Sequence, residues 1–188
     1  AIAARRNRAT VYRAQKRYAE ADALLHDCEA RARELGLQSE LAPIWQEQAN
    51  LLAATGAYRA STEKFRQARQ EFLAGQNQLG AADCAIEQGQ HALDRRDVAT
   101  AEALFRQAEP ALAQHPHHLW RALGGLARCA AARGDRAEAL ARYRAALGTI
   151  AALRERLATE AISSSVYQLA SDLHAEALGL ALAANEPE

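Results

Sequence analysis

The chain is poor in the residues that build sheets, turns and disulfides. Its 188 residues include no methionine, three cysteines, four prolines, ten glycines and only 5% aromatic residues. Scarce aromatic and β-branched residues argue against a large β-sheet. The odd number of widely spaced cysteines, Cys28, Cys84 and Cys129, argues against a disulfide framework. It favours a reducing compartment in which the thiols are buried as small apolar groups.

Long apolar runs and an excess of one charge are missing as well. No stretch approaches the ~20 consecutive apolar residues of a membrane span, and no apolar block follows the basic first twenty residues, so neither a membrane segment nor a secretory signal is predicted. Lys+Arg and Asp+Glu both number 23. This balance disfavours nucleic-acid binding by the one dense basic group, Arg5, Arg6, Arg8, Arg13 and Arg17. Because the sequence neither opens with methionine nor contains one, we expect an excerpt from a longer protein. The cysteine usage favours a cytoplasmic location for that protein.

The abundant residue is alanine, and it recurs with a period. Forty-eight alanines make a helix-forming mixture. Five columns of residues repeat at intervals of about 40, and small and bulky columns alternate at steps of three and four, as closely packed helices require. The columns are Ala9, Ala49, Gly89 and Ala127; Tyr18, Tyr58, Val98 and Arg136; Ala21, Ser61, Ala101 and Ala139; Leu25, Phe65, Phe105 and Tyr143; and Cys28, Ala68, Ala108 and Ala146.

The columns predict an all-α chain of helical hairpins in one domain, 1–188. The predicted units are 3–37, 39–77, 79–114 and 117–158, followed by a closing helix at 160–184. In each unit the Tyr18 column marks the start of the second helix. The closing segment is acidic, so we expect it to lie against the basic fourth unit. Its carboxylates are Glu160, Asp172, Glu176, Glu186 and Glu188.

Glycine and proline mark the predicted turns. Gly56 and Gly134 stand where a first helix must stop, and Asp135 with Glu138 resembles a capping box. Pro110 should end or kink its helix. Longer links between units are expected at Gly36, Gly75, Gly80 and Pro116.

The columns resemble the tetratricopeptide repeat, whose pattern is W-x2-L-G-x2-Y followed by A-x3-F. The second unit shows the match with Trp45, Gln48, Ala49, Leu52, Ser61 and Phe65. The resemblance implies a right-handed solenoid with a concave groove that binds a protein or peptide. Armadillo and HEAT repeats, which share the longer period, rank second because the A-x3-F columns fit them less well.

A narrower resemblance lies near the end of the chain. It is similar to the last repeats before a caspase-like CHAT domain in bacterial proteins, and it implies that any protease chemistry would lie beyond Glu188. The residues that carry it are Ile150, Leu153, Arg154, Leu157, Val166, Tyr167 and Leu169.

The tetratricopeptide resemblance also implies which side chains face the groove. They would bind an acidic peptide or helix, with the amides bonding to its backbone and the arginines attracting its carboxylates. The candidate residues are Arg6, Thr10, Arg13, Gln46, Asn50, Gln90 and Arg128. No lysine occupies these positions, which argues against the carboxylate clamp of chaperone-binding members. Gly124 and Gly125, in mid-helix, serve either a close helix crossing or a ligand backbone.

The sequence offers no catalytic constellation, and we expect no enzyme activity, cofactor or metal in this segment. His115, His117 and His118 surround Pro116 without a nearby carboxylate or thiolate, which favours a solvated loop. The expected function is a protein-binding or regulatory scaffold in a bacterial protein. The alternatives are the sensor segment of a CHAT-domain protease, the effector-sensing segment of a transcription regulator, and an architectural spacer. The oligomeric state stays open.

Overall fold

The computed structural model describes residues 1–156 and 164–182, with side chains given for 1–153 and 171–182. The parts of the expected closing helix at 160–163 and 183–184 lie outside the described residues, as do Glu160, Glu186 and Glu188. The described residues are helical apart from short turns. The helices are α1 (Ile2–Ala14), α2 (Tyr18–Glu34), α3 (Gln38–Ala54), α4 (Tyr58–Ala74), α5 (Gln78–Asp94), α6 (Val98–Leu112), α7 (Pro116–Ala132), α8 (Arg136–Arg156) and α9 (Ser164–Leu182).

The second helix of each hairpin begins at the predicted column. The first residues of α2, α4, α6 and α8 are Tyr18, Tyr58, Val98 and Arg136. Three residues separate consecutive helices from α1 to α8, both inside a hairpin and between hairpins. The prediction of longer links at Gly36, Gly75 and Gly80 was therefore wrong, because one kind of tight turn serves both connections.

Most of these turns share one hydrogen-bonding pattern. In the turn after α1, the amide of Arg17 donates to the carbonyl of Tyr12 at 2.8 Å and that of Lys16 to Arg13 at 2.9 Å. This is a Schellman motif, which places its middle residue in the left-handed region. Six turns have such a residue, and only three of the six are glycine. They are Lys16, Gly36, Gly56, Gln76, Arg96 and Gly134.

Local caps explain the remaining marked positions. Pro116 is the first residue of α7. An amide at this position has no partner within the helix, so the amide hydrogen that proline lacks costs no hydrogen bond. Pro110 lies two residues before the end of α6, as its effect on helices predicted. Asp135 Oδ1 accepts a hydrogen bond from the Glu138 amide at 3.0 Å, the N-terminal cap predicted for α8.

The chain forms two compact units, Ala1–Gln88 and Gly89–Glu188, so the boundary falls within α5. The core of the first unit includes Leu25, Ile44 and Phe65, and that of the second includes Trp120 and Tyr143. Every member of the four columns headed by Ala9, Ala21, Leu25 and Cys28 is buried. The sequence repeat is thus a repeat of side-chain packing, in which the bulky residues of one helix fill the space left by the small residues of its neighbour.

Glycines make room for two phenylalanine rings. In the second unit, a Cβ on Gly89 would lie 3.0 Å from the Phe105 ring, and a Cβ on Gly125 would lie 2.5 Å from Phe105 Cε1. In the first unit, a Cβ on Gly80 would lie 2.6 Å from Phe72 Cδ1, so Gly80 is a packing residue within α5.

In the described ranges, no helix combines the length and the apolar content needed to cross a bilayer.

Candidate functional site

In the first unit, the residues expected on α1 face the next first helix. Arg6 Nη1 lies 4.0 Å from Glu40 Oε2, and Arg13 Nη2 lies 3.6 Å from Glu47 Oε2. Thr10, between them on the same face of α1, donates its hydroxyl to the Arg6 carbonyl at 3.3 Å. The four charged side chains are all partly exposed. Their separations are those of charge pairs rather than of tight hydrogen bonds. Arg13 Nε is also buried without a hydrogen-bond partner among the described residues, so neither guanidinium is saturated by its carboxylate.

The residues expected on α3 meet at one carboxylate of α5. Gln46 Nε2 and Asn50 Nδ2 both donate to Glu87 Oε2 at 2.8 Å. Gln46 is partly exposed, whereas Asn50 is only 4% exposed. Asn50 therefore holds Glu87 in place, and Gln46 is the amide with a side toward solvent.

We call Arg6, Arg13, Gln46, Glu47 and Glu87 the inner row of the first unit. Burial raises the pKa of Glu47, Arg13 opposes this effect and the negative charge of Glu87 reinforces it. The two carboxylates thus repel each other, and the charge of Arg13 partly compensates that of Glu47. The inner row combines both charge signs with an amide.

The rest of the dense basic group is engaged locally. Arg5 pairs with Asp27 of α2, and Arg17 pairs with Glu20. The Arg8 and Arg17 guanidinium carbons lie 5.7 and 4.1 Å from the centre of the Tyr12 ring. Arg5 and Arg17 thus connect α1 to α2, Arg8 packs on Tyr12 within α1, and the group does not form an unopposed basic stripe.

In the second unit, Arg128 of α7 already holds a carboxylate. Its Nε and Nη2 donate to Glu176 of α9 at 2.9 and 3.0 Å, and its Nη1 donates to Gln90 Oε1 at 3.3 Å. The Tyr143 hydroxyl donates to Glu176 Oε2 at 2.8 Å. The expected contact between the acidic closing helix and the basic fourth unit is confirmed at Glu176. We call Arg128, Tyr143 and Gln90 the carboxylate seat.

The two adjacent glycines of α7 contact different neighbours. Gly125 adjoins the Phe105 ring, and a Cβ on Gly124 would lie 3.0 Å from Leu173 Cδ2 of α9. Of the two interpretations left open by the sequence, close packing thus accounts for both positions. At Gly124 the group packed there is the side chain of α9 itself.

Three of the carboxylates that complete these clusters, Glu40, Glu47 and Glu87, were missed by sequence reasoning. In each cluster the carboxylate lies two helices further along the chain than the arginine or amide that it contacts. The four carboxylates are Glu40, Glu47, Glu87 and Glu176. The separations along the chain are 34 residues for both Arg6 with Glu40 and Arg13 with Glu47. This repeated spacing of opposite charges is the signal that could have found Glu40 and Glu47, whereas Glu87 contacts two amides at separations of 41 and 37 residues.

Other candidate chemistry is not brought together. In the part of the chain that the structure describes, no three His, Cys, Asp or Glu side chains are grouped so as to hold a metal ion. His117 and His118 lie in the first turn of α7 and His115 precedes it, so the expected loop is a helix start. The side chains of Arg154, Leu157, Val166, Tyr167 and Leu169, part of the CHAT-like pattern, lie outside those described.

The three cysteines are reduced and buried. Burial raises the pKa of Cys28 and Cys84, and it raises that of Cys129 to about 11. A thiol with a raised pKa is a poor nucleophile near neutral pH. The cysteines are thus packing groups, as predicted.

No protein-family model matches the chain, and no curated protein matches it. Among solved structures, the chain is similar to BtubC (BKLC) from P. vanneervenii, with 15% sequence identity and a TM-score of 0.66. The match covers 96% of this chain and 79% of that one. It shows the fold alone, a helical-repeat fold, and so confirms the predicted all-α solenoid of helical hairpins.

Proposed function

We propose that the chain is a protein-interaction scaffold of the tetratricopeptide type, which binds a peptide or helix along its first helices. The observation that carries the proposal is the convergence of the inner row. Arg6, Arg13 and Gln46, expected from separate repeats to line one surface, lie on two helices that contact each other directly.

The tetratricopeptide assignment is supported by the burial of the A-x3-F columns. In all four hairpins the small residue and the bulky residue four positions later are at most 3% exposed. Such pairs are what that repeat uses to cross its two helices closely. The reduced, buried cysteines support a reducing, cytoplasmic setting.

Recognition would proceed by exchange of partners. A carboxylate on the bound peptide would approach Arg6 or Arg13, whose present carboxylates lie 4.0 and 3.6 Å away, and would form closer, charge-assisted hydrogen bonds. Gln46 would bond to the peptide backbone beside Glu87. Because such partly exposed charges act mainly on encounter rate and selectivity, the affinity would come from apolar contacts of the peptide.

The test is a pulldown from cytoplasmic extract with the chain and with its Arg13→Ala/Gln46→Ala variant. We expect the variant to lose its specific partners while its circular dichroism spectrum stays unchanged. An Arg59→Ala/Gln70→Ala variant removes the same residue types from exposed positions of α4 and should retain every partner. Retention of all partners by the Arg13→Ala/Gln46→Ala variant would refute the assignment of the inner row.

A further inference from the structure

The carboxylate seat is a complete binding site for an anionic side chain. Two guanidinium nitrogens of Arg128 and the Tyr143 hydroxyl converge on a single carboxylate, while Gln90 accepts a bond from the third nitrogen of Arg128 and fixes its orientation. Three donors on one carboxylate form a strong and directional arrangement.

Beside the seat lies a niche for an apolar side chain. Because Gly124 has no side chain, Leu173 fits against the α7 backbone and is only 2% exposed. Leu173 belongs to the same apolar cluster as Trp120, Leu123 and Tyr143. The occupants of niche and seat, Leu173 and Glu176, are three positions apart and therefore share one face of α9.

The described side chains of α9, residues 171–182, include fewer buried residues than those of α6 and α7. Among its described side chains, 171–182, Leu173 alone is fully buried, whereas α7 buries nine residues and α6 buries five. Leu178 and Leu182 of α9 are 59% and 58% exposed. Niche and seat thus hold the most buried of these side chains and a carboxylate one turn away, while Ala177 and Leu180 pack against the same cluster as partly buried residues.

We propose that α9 is an internal competitor for the site on α7 and α8, and that the partner is an amphipathic helix carrying the Leu-x-x-Glu pattern that α9 itself presents. This inference rests on the proposed function and names its partner class and its regulation. A partner helix would place its leucine over Gly124 and its glutamate on Arg128 and Tyr143. It would bind after α9 is released, so its apparent affinity is reduced by the fraction of chains in which α9 stays docked.

The test uses a fluorescein-labelled peptide with the sequence of residues 164–182 and a terminal lysine tag, titrated against the full chain and followed by fluorescence anisotropy. In the receptor, Leu173→Ala/Glu176→Gln weakens the docking of α9. We expect this receptor to bind the peptide at least about tenfold more tightly than the unaltered chain does, since competition is relieved. Glu176→Gln alone keeps Leu173 in the core and should give a smaller gain.

Matched controls separate docking from general effects. Leu178→Ala makes the same truncation at an exposed position of α9 and should leave peptide binding at the level of the unaltered chain. A peptide carrying Leu173→Ala and Glu176→Gln should bind the altered receptor at least about tenfold more weakly. Circular dichroism confirms that each receptor is folded.

Equal binding of the peptide by unaltered and altered receptors, or binding by neither, would overturn the proposal. If the altered receptor instead forms concentration-dependent dimers in light scattering and ignores the peptide, the occupant is a second copy and the proposal also fails. None of these outcomes bears on the pulldown with Arg13→Ala/Gln46→Ala, which probes the first unit, so the two hypotheses can fail separately.

Discussion

Three turn residues adopt a backbone conformation that their side chains disfavour. Lys16, Gln76 and Arg96 have φ of 60°, 57° and 63°, where Gly134 and Gly56 occupy the equivalent place in other turns. A left-handed conformation costs a residue with a Cβ roughly 1–2 kcal/mol, partly offset by the lower entropy of its unfolded chain compared with glycine.

We therefore expect Arg96→Gly to raise the free energy of unfolding by about 0.5–1 kcal/mol, and Gly134→Ala to lower it by about 1 kcal/mol. Urea unfolding of the two variants measures both changes. The matched control is Gly148→Ala, because Gly148 has an ordinary φ, lies within α8 and has open space at its Cβ position. If Arg96→Gly proved as destabilising as Gly134→Ala, turn conformation would not be the controlling factor.

The Phe105 ring gives a second prediction at the scale of single residues. A Cβ on Gly125 would lie 2.5 Å from Phe105 Cε1, and the buried ring has little room to move. Overpacking of this kind costs about 1–3 kcal/mol, so we expect Gly125→Ala to lower the free energy of unfolding by that amount. Phe105→Leu should recover part of the loss when combined with it, as measured in a double-mutant cycle.

Gly179→Ala provides the reference for that cycle, since a Cβ on Gly179 of α9 meets nothing within 4 Å. Additive losses for Gly125→Ala and Phe105→Leu would show that ring and glycine do not conflict.

At the scale of helices, the sequence predicted the first residues of the helices better than the turns that connect them. The starts at Tyr18, Tyr58 and Val98 follow from packing columns, which are written in side-chain size. The turns depend on a left-handed backbone conformation, which is usually found at glycine but which Lys16 and Gln76 also adopt. A search for Gly and Pro therefore overestimated the lengths of some links and found no marker for the turns at Lys16 and Arg96.

Of the inner row, the sequence predicted the arginines and the amide but not the carboxylates. The tetratricopeptide resemblance placed Arg6, Arg13 and Gln46 by their position relative to the small column, which each helix carries in its own sequence. Glu47 and Glu87 depend on the axial offset between successive first helices. That offset is set by the packing of whole hairpins, which no single helix encodes.

Glu29 connects three helices of the first unit. It accepts hydrogen bonds from Trp45 Nε1 and Gln48 Nε2 at 2.9 Å and from Arg33 Nη2 at 2.8 Å, and Lys64 lies 3.9 Å away. Burial by itself raises the pKa of Glu29, but the hydrogen bonds outweigh it and lower the pKa to about 2. The ionised carboxylate is therefore the form that the fold stabilises.

Because the pKa of Glu29 is lowered, its contribution is present above the ordinary carboxyl pKa near 4.5 and is lost as the pH falls toward 2. We expect Glu29→Gln to reduce the free energy of unfolding by about 2–3 kcal/mol at pH 7 and by progressively less below pH 4.5. Urea unfolding at a series of pH values measures the difference.

Glu63→Gln is the comparison, because Glu63 pairs with Arg66 at 2.5 Å on the exposed face of α4. Exposed pairs contribute only about 0.2–1 kcal/mol. A loss at pH 7 as large for Glu63→Gln as for Glu29→Gln would mean that burial among Trp45 and Gln48 adds nothing.

At the scale of the whole molecule, a helical-repeat chain is stabilised mainly by contacts between near neighbours. Its two compact units, Ala1–Gln88 and Gly89–Glu188, should therefore respond separately to local damage. The cysteines report on this directly, since Cys28 and Cys84 are buried in the first unit and Cys129 in the second. A buried thiol with a raised pKa is alkylated when its surroundings open.

We expect Gly125→Ala to speed the alkylation of Cys129 at pH 8 by about fivefold or more, in line with a loss of at least about 1 kcal/mol, and to leave Cys28 nearly unchanged. Phe65→Leu should speed the alkylation of Cys84 and leave that of Cys129 nearly unchanged, because Phe65 packs in the same cluster as Cys84. Mass spectrometry of alkylated peptides gives the rate at each cysteine. Equal acceleration at Cys28 and Cys129 by Gly125→Ala would show that the chain opens as one cooperative body. A substitution in one hairpin would then destabilise every hairpin of the chain.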